Sequence, residues 1–312
     1  MKALLAVICL GLAACSTVSQ STRGVLCATD WVSFDGKTMP WHAWSVPAGS
    51  KPQGIIIAVH GLSGATSDFW PLGQHLAQNG ITTYAYELRG QGNDPVVANR
   101  GDIDQAETWL RDLATFHKLI KRRHPRTPVY WYGESLGSLI AMHTAAHQVR
   151  WGGPDALLLA SPIAGLRMPM SGFQRWLLQT ASTMAPRTRY SLGELADVDE
   201  SSIQVTSSTT HGGQMSKTPH HVSEFSLRLL TAIGSMMDSN EAAAAKLKMP
   251  VLFLASPNDI LSSADQVQTL FRHVRSEDKK LLWFTRSHHL LLHDVQRDEV
   301  VKDVATWLQK QR

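Results

Sequence analysis

Residues 128–147 read Pro-Val-Tyr-Trp-Tyr-Gly-Glu-Ser-Leu-Gly-Ser-Leu-Ile-Ala-Met-His-Thr-Ala-Ala-His. The opening run, Pro128–Tyr132, is aromatic and β-branched, which is the signature of a strand. The closing run, Leu136–His147, has the apolar spacing of a buried helix. Between them Gly133-Glu134-Ser135-Leu136-Gly137 matches G-x-S-x-G. A serine on so sharp a strand-to-helix turn needs small residues two before and two after it. Glycine at 133 and 137 removes the Cβ clash, and the Ser135 hydroxyl then stands at a sheet edge above a helix N-terminus. The stretch therefore predicts a nucleophile, and a fold in which strands and helices alternate.

The flanking sequence repeats that alternation. Gly54–Val59 is apolar throughout, as a strand covered on both faces should be. Ser67–Gln78 reads as a helix, Ile81–Glu87 as a strand and Asp102–Arg123 as an amphipathic helix. Ala156–Ala160, Val251–Ala255 and Lys280–Phe284 read as further strands, with helices over Ala264–Val274 and Asp298–Lys310. The expected class is α/β, a mostly parallel central sheet flanked by helices. One block, 166–248, holds no convincing core strand. Phe173–Met184 and Val222–Met237 read as amphipathic helices, and Val198–Pro219 is rich in Ser, Thr and Gly. This block is expected to be a mainly helical lid, inserted in a core made of 31–165 and 249–312.

Hydrophobic residues make up 43% of the 312 and charged residues 18%, which excludes a disordered chain and a coiled coil. The net charge of +4 is a weak field over this length. Lys121-Arg122-Arg123, the one compact basic run, ends a helix, where positive charge suits the dipole. No nucleic-acid module is present, so no nucleic-acid partner is expected.

Residues 1–14 carry Lys2 and then an apolar stretch too short to span a bilayer, the pattern of an export signal. Leu12-Ala13-Ala14-Cys15 resembles the lipobox of bacterial lipoproteins. That resemblance implies cleavage before Cys15, lipidation of Cys15 and a flexible tether over 15–30. Ser16, rather than Asp, follows the cysteine, which in such lipoproteins favours the outer membrane. The expected location is the bacterial cell envelope, at a membrane surface and facing the periplasm or the exterior. Cys9 would leave with the signal, so Cys27 remains alone and no internal disulfide is expected.

A serine hydroxyl needs a base, and the base an orienting acid. On such a sheet they follow in the order Ser, acid, His. Asp259 lies just after the strand Val251–Ala255, while Asp265 sits at a helix start and reads as a cap residue. His288 and His289 both follow the strand Lys280–Phe284, and neighbouring side chains on a loop diverge, so only one of them can meet Ser135. His293 lies one turn further on, but no carboxylate or cysteine framework surrounds it, and no metal is expected. The oxyanion hole is expected from the backbone N–H of Leu136 and that of Leu62, in the loop His60-Gly61-Leu62-Ser63-Gly64. His60 reads as a structural residue of that loop.

His60-Gly61-Leu62, Glu87-Leu88-Arg89-Gly90-Gln91-Gly92, Gly133–Gly137, Asp259 and Ser287-His288-His289 together resemble the monoglyceride lipase and lysophospholipase branch of the α/β-hydrolases. The resemblance covers 50–165 and 245–312. It implies an α/β-hydrolase fold and a triad of Ser135, Asp259 and His289, because the S-x-H pattern selects His289 over His288. It also implies a structural Arg89, with Glu87 where the branch has Asp. The implied reaction is two-step hydrolysis of lipid acyl esters such as monoacylglycerols or lysophospholipids, with no cofactor. The lid is where the resemblance fails, and there Met168, Met170, Trp176, Leu177, Phe225 and Met236 are candidates to line an acyl tunnel or simply to pack. An aminopeptidase of the same fold would need an acid for the substrate's amine, for which Glu194, Asp197, Asp199 and Glu200 are available. A non-catalytic scaffold would need none of the triad side chains.

Overall fold

The computed structural model describes residues 24–311, except 148–149, 151, 168–169, 197–198, 211–212 and 214–216. The signal segment 1–14, Cys15 and Met168 lie outside the described residues. Strands β1 (Val25–Leu26), β2 (Asp30–Val32) and β3 (Thr38–Trp44) form an antiparallel edge. No alternating pattern announces it: two strands are very short, and Pro40 interrupts the third. The tether drawn over 15–30 is therefore too long, because the chain is already paired at Val25.

β4 (Gly54–Val59), β5 (Ile81–Tyr86), β6 (Val129–Glu134) and β7 (Ala156–Ala160) follow. Outside the main sheet, β8 (Arg189–Tyr190) pairs with β11 (Phe225–Ser226), and β9 (Gln204–Thr206) with β10 (Thr209–Thr210). β12 (Val251–Ala255) and β13 (Lys279–Trp283) complete a nine-stranded sheet in the order β1-β2-β3-β5-β4-β6-β7-β12-β13. From β5 onward every pairing in it is parallel.

Strand pleating sends alternate residues to opposite layers. Ile55, Ile57 and Val59 of β4 join one core with Trp131, under α2 (Ala106–Arg123) and α3 (Leu136–Ala146). Ile56 and Ala58 join the other with Tyr130 and Tyr132, under α1 (Trp70–Gln78) and a C-terminal helix over Arg297–Gln309. Each fully buried isoleucine contributes about 1.5–3 kcal/mol.

The lid carries helices α4 (Gly172–Met184), α5 (Leu192–Ala196) and α6 (Leu227–Asp238). α6 buries Leu227, Leu229 and Met236, whereas α4 buries no side chain and leaves Phe173, Trp176 and Leu177 exposed. Residues 222–226, read as helix, are not helical and include β11, and the helix starts only after Ser226, whose hydroxyl accepts the Leu229 amide at 3.2 Å. The short helix α7 (Asn240–Ala244) packs against α3 and against α8 (Ala264–His273), as part of the core. The excursion is thus narrower than 166–248. Asn240 Nδ2 donates to Ile163 O at 2.8 Å, closing its two ends together. The last helix is α9 (Arg297–Gln309). Among the described residues no helix is long and apolar enough to cross a membrane.

Candidate active site

Ser135 sits where β6 meets α3, with φ 54° and ψ −118°. Both glycines of the motif are required there. A Cβ on Gly137 would stand 1.9 Å from Val59 O, and one on Gly133 would stand 2.3 Å from Gly137 O. The turn is anchored by the Ser135 amide, which donates to Ala160 O of β7 at 3.0 Å.

The loop after β13 brings His289 to this turn, with Nε2 2.9 Å from Ser135 Oγ. His289 Nδ1 lies 2.8 Å from Oδ2 of Asp259, in the loop after β12. A carboxylate only accepts, so Nδ1 carries the proton and Nε2 is free to take that of Ser135. Asp259 is itself held, because Oδ1 accepts the Leu261 amide at 2.7 Å. Burial opposes a charged imidazole, but Asp259, with Glu134 adding to it, holds His289 above its ordinary basicity. Ser161 Oγ donates to His289 O, a support that no sequence pattern marks.

His288 turns away. Its amide donates to Asp294 Oδ2 at 2.7 Å, and its Nδ1 lies 3.2 Å from the same oxygen. The structure therefore brings His289, and not His288, to Ser135. Asp265 lies in the first turn of α8, whose capping residue is Ser263, paired reciprocally with Gln266.

Leu136 is the first residue of α3, a position with no intrahelical acceptor for its N–H. Among the described residues the amides of Leu62 and Leu136 donate to no acceptor. The loop that carries Leu62 runs over Ser135: a Cβ on Gly61 would be 3.1 Å from Ser135 Cβ. His60, wholly buried, holds that loop by accepting the Leu88 amide on Nε2 at 3.0 Å and meeting Gly61 O with Nδ1 at 3.0 Å. Glu87 accepts from the Thr66 hydroxyl at 2.8 Å and the Asn93 side chain at 3.2 Å. Arg89 pairs with Asp35 at 2.6 Å and with Asp112 at 2.7 Å, a clamp between three segments of the core.

The Ser/Thr-rich ribbon β9–β10 lies against the His289 loop. Leu290 donates its amide to Val205 O at 3.0 Å, and Ser207 donates to Asp294 Oδ1 at 2.9 Å. Phe225 and Met236 are buried in the core and so pack the lid down, whereas Trp176 and Leu177 face solvent. Of the acids considered for an amine, Glu194 caps the Ser191 amide and Asp199 the Ser201 amide, both exposed. Asp197 lies outside the described residues, and Glu200 opens a short turn over Glu200–Ser202.

The family model described as serine aminopeptidase, S33 (Hydrolase_4) matches residues 50–296. The chain belongs to this family. Relatives similar to it include human monoglyceride lipase, 24% identical over 284 residues, which span 89% of this chain and 88% of that one. Phospholipase YtpA of Bacillus subtilis is 24% identical over 263 residues, 81% of this chain and 93% of that one. Among solved structures, a soluble variant of the Saccharomyces cerevisiae monoglyceride lipase in complex with a substrate analogue superposes with a TM-score of 0.76 at 19% identity, covering 89% of this chain and 93% of that one. The S33 family match and this likeness bear out the expected α/β-hydrolase fold.

Proposed function

We propose that the chain is a serine hydrolase of lipid acyl esters such as monoacylglycerols or lysophospholipids. The observation that carries the reading is the buried hydrogen-bonded line Ser135–His289–Asp259, at 2.9 and 2.8 Å. Ser135 attacks the ester carbonyl while His289 Nε2 takes its proton. Asp259 fixes the tautomer and stabilises the imidazolium. The developing oxyanion accepts from the amides of Leu62 and Leu136, donors typically worth about 3–4 kcal/mol of barrier each. The alcohol leaves with the proton from His289, and water, activated by the same imidazole, releases the acid. The lipid ester, rather than the amide, is favoured by the names of the relatives and by the exposed apolar face of α4. The acids in reach of the lid are engaged in local turns instead of an amine site.

The N-terminal segment supports a lipoprotein anchored through Cys15 in the bacterial cell envelope. Incorporation of labelled palmitate that is lost in Cys15→Ser tests that anchor.

The chemistry is tested with p-nitrophenyl esters of two to sixteen carbons, on the form lacking residues 1–15, beside Ser135→Ala. Turnover of medium and long chains that disappears in the variant is expected, followed by turnover of monoacylglycerols or lysophospholipids. Activity on acetate and butyrate alone would redirect the reading to small esters. Hydrolysis of aminoacyl anilides in place of esters would overturn it in favour of an aminopeptidase, and no hydrolysis by a folded protein would favour a scaffold.

A further inference from the structure

We propose that Glu134, the residue between Gly133 and the nucleophile, is a positioning residue of the reaction: a buried second carboxylate that stabilises the imidazolium of His289 as Ser135 gives up its proton. The inference rests on the triad reading above.

The argument begins with the strand. Tyr130 and Tyr132 of β6 face the layer under α1 and α9, and Glu134 follows them at a spacing of two. Its carboxyl therefore enters the buried layer that those tyrosines share. Glu134 is 3% exposed, and its Oε1 is buried with no hydrogen-bond partner among the described residues. A carboxylate in such a place costs stability, and a sheet needs no acid at this position for its packing. The cost is explained if the group acts on something near it.

Four titratable groups are coupled to it through their charges. Asp68 comes from the short turn Thr66–Phe69, His60 from the loop after β4, His289 from the loop after β13, and Tyr132 from its own strand. Behind His60 stands Glu87, and behind His289 stands Asp259. Burial, and then the charge of Asp68, push the Glu134 carboxyl up to about 7, while His289 and His60 draw it down. In return Glu134 adds to Asp259 in holding His289 basic. The two groups are thus coupled: a charge appearing on His289 favours the anion of Glu134, and that anion favours the charge. Asp259 holds the ring by a hydrogen bond. Glu134 acts on it through the field alone, in a buried site where such a field is stronger than in water.

The test is Glu134→Gln, which keeps shape and removes charge, assayed beside the wild type on a soluble p-nitrophenyl ester from pH 5 to 9. The acid limb of kcat/KM reports the base of the free enzyme. It is expected to move to lower pH by about half a unit or more, with kcat on the alkaline plateau falling about 5- to 20-fold and KM staying within about twofold. Glu134→Asp, which restores the charge, should return the limb most of the way. A limb and plateau that stay at the wild-type position in Glu134→Gln overturn the proposal, because a packing role alone would leave them there.

Thermal unfolding gives a second readout. A carboxyl raised from 4.5 to about 7 by folding stabilises below pH 4.5, and that stability is lost as pH rises through 7. The Tm of Glu134→Gln should therefore exceed the wild type above pH 7 and not below pH 4.5, and a difference that is flat with pH overturns the proposal. Should the variant fail to fold, the imidazole resonances of His289 in the wild type decide. Two inflections, one of them near pH 7, are expected, and a single inflection overturns the coupling. Hydrolysis that persists in Ser135→Ala would instead remove the nucleophile on which the inference rests.

Discussion

At the scale of single residues, the geometry of the elbow leaves little freedom. Gly137→Ala would drive a Cβ to 1.9 Å from the Val59 carbonyl, a backbone atom of a central strand that cannot step aside. The expected outcome is insoluble protein, or soluble protein with at least about a hundredfold less turnover, as read from yield and p-nitrophenyl ester hydrolysis. Asp259→Asn should keep the packing but present the wrong tautomer of His289, lowering kcat by about 10⁴. His288→Ala should stay within a few-fold, because that ring faces Asp294. The pair of measurements separates the two histidines. Ser135 was legible because its motif carries its own steric logic. Asp259 was legible because it follows a strand that is apolar from end to end. The choice between His288 and His289 was not legible from the residues themselves, since it depends on which way a loop turns. That turn is set by Asp294, which takes both the amide and the ring of His288, and by Ser161, whose hydroxyl bonds the His289 carbonyl.

At the scale of elements, the buried strands were legible to within a residue or two. Gly54–Val59, Ala156–Ala160 and Val251–Ala255 are found as read. They are covered on both faces, so every residue in them is apolar or small. The antiparallel edge and the lid ribbons were not legible, because strands of two or three residues hold no period. The ribbon β9–β10 shows what that hides. Its polar composition suggests an idle loop, yet it is bonded to the loop that carries His289. Replacing 204–210 by a short Gly-Ser link should lower kcat on a soluble ester about tenfold with less change in KM, because it loosens the base and not the carbonyl site. Stopped assays on a water-soluble butyrate ester would show it. The exposed face of α4 predicts a different split. Phe173→Ser with Trp176→Ser should reduce turnover of micellar or vesicle-borne long-chain esters several-fold and leave monomeric butyrate turnover unchanged, since those rings are outside the core.

At the scale of the whole molecule, one buried histidine should tie stability to a defined window of pH. His117 accepts the Trp131 indole N–H at 3.1 Å, deep between α2 and the sheet. Burial, with Lys121 and Lys118 nearby, holds its ring down at about 4. A histidine depressed by folding contributes stability above its ordinary value of 6.5, and loses it as pH falls toward 4. The contribution of His117 to the Tm should therefore be lost between pH 6.5 and 4, so that the Tm of the wild type falls relative to that of His117→Gln, which keeps an acceptor, across that window. Differential scanning across that range checks it. A larger consequence lies in how the lid is attached. It leaves the core after β7 and returns before β12, strands that are hydrogen-bonded neighbours, and Asn240 ties the point of return to Ile163 at the point of departure. An excursion whose two ends meet behaves as a cassette. It can be exchanged for another of different length without stretching or shifting the strands that carry the reacting groups, so descent can rewrite what such a chain cleaves while inheriting how it cleaves.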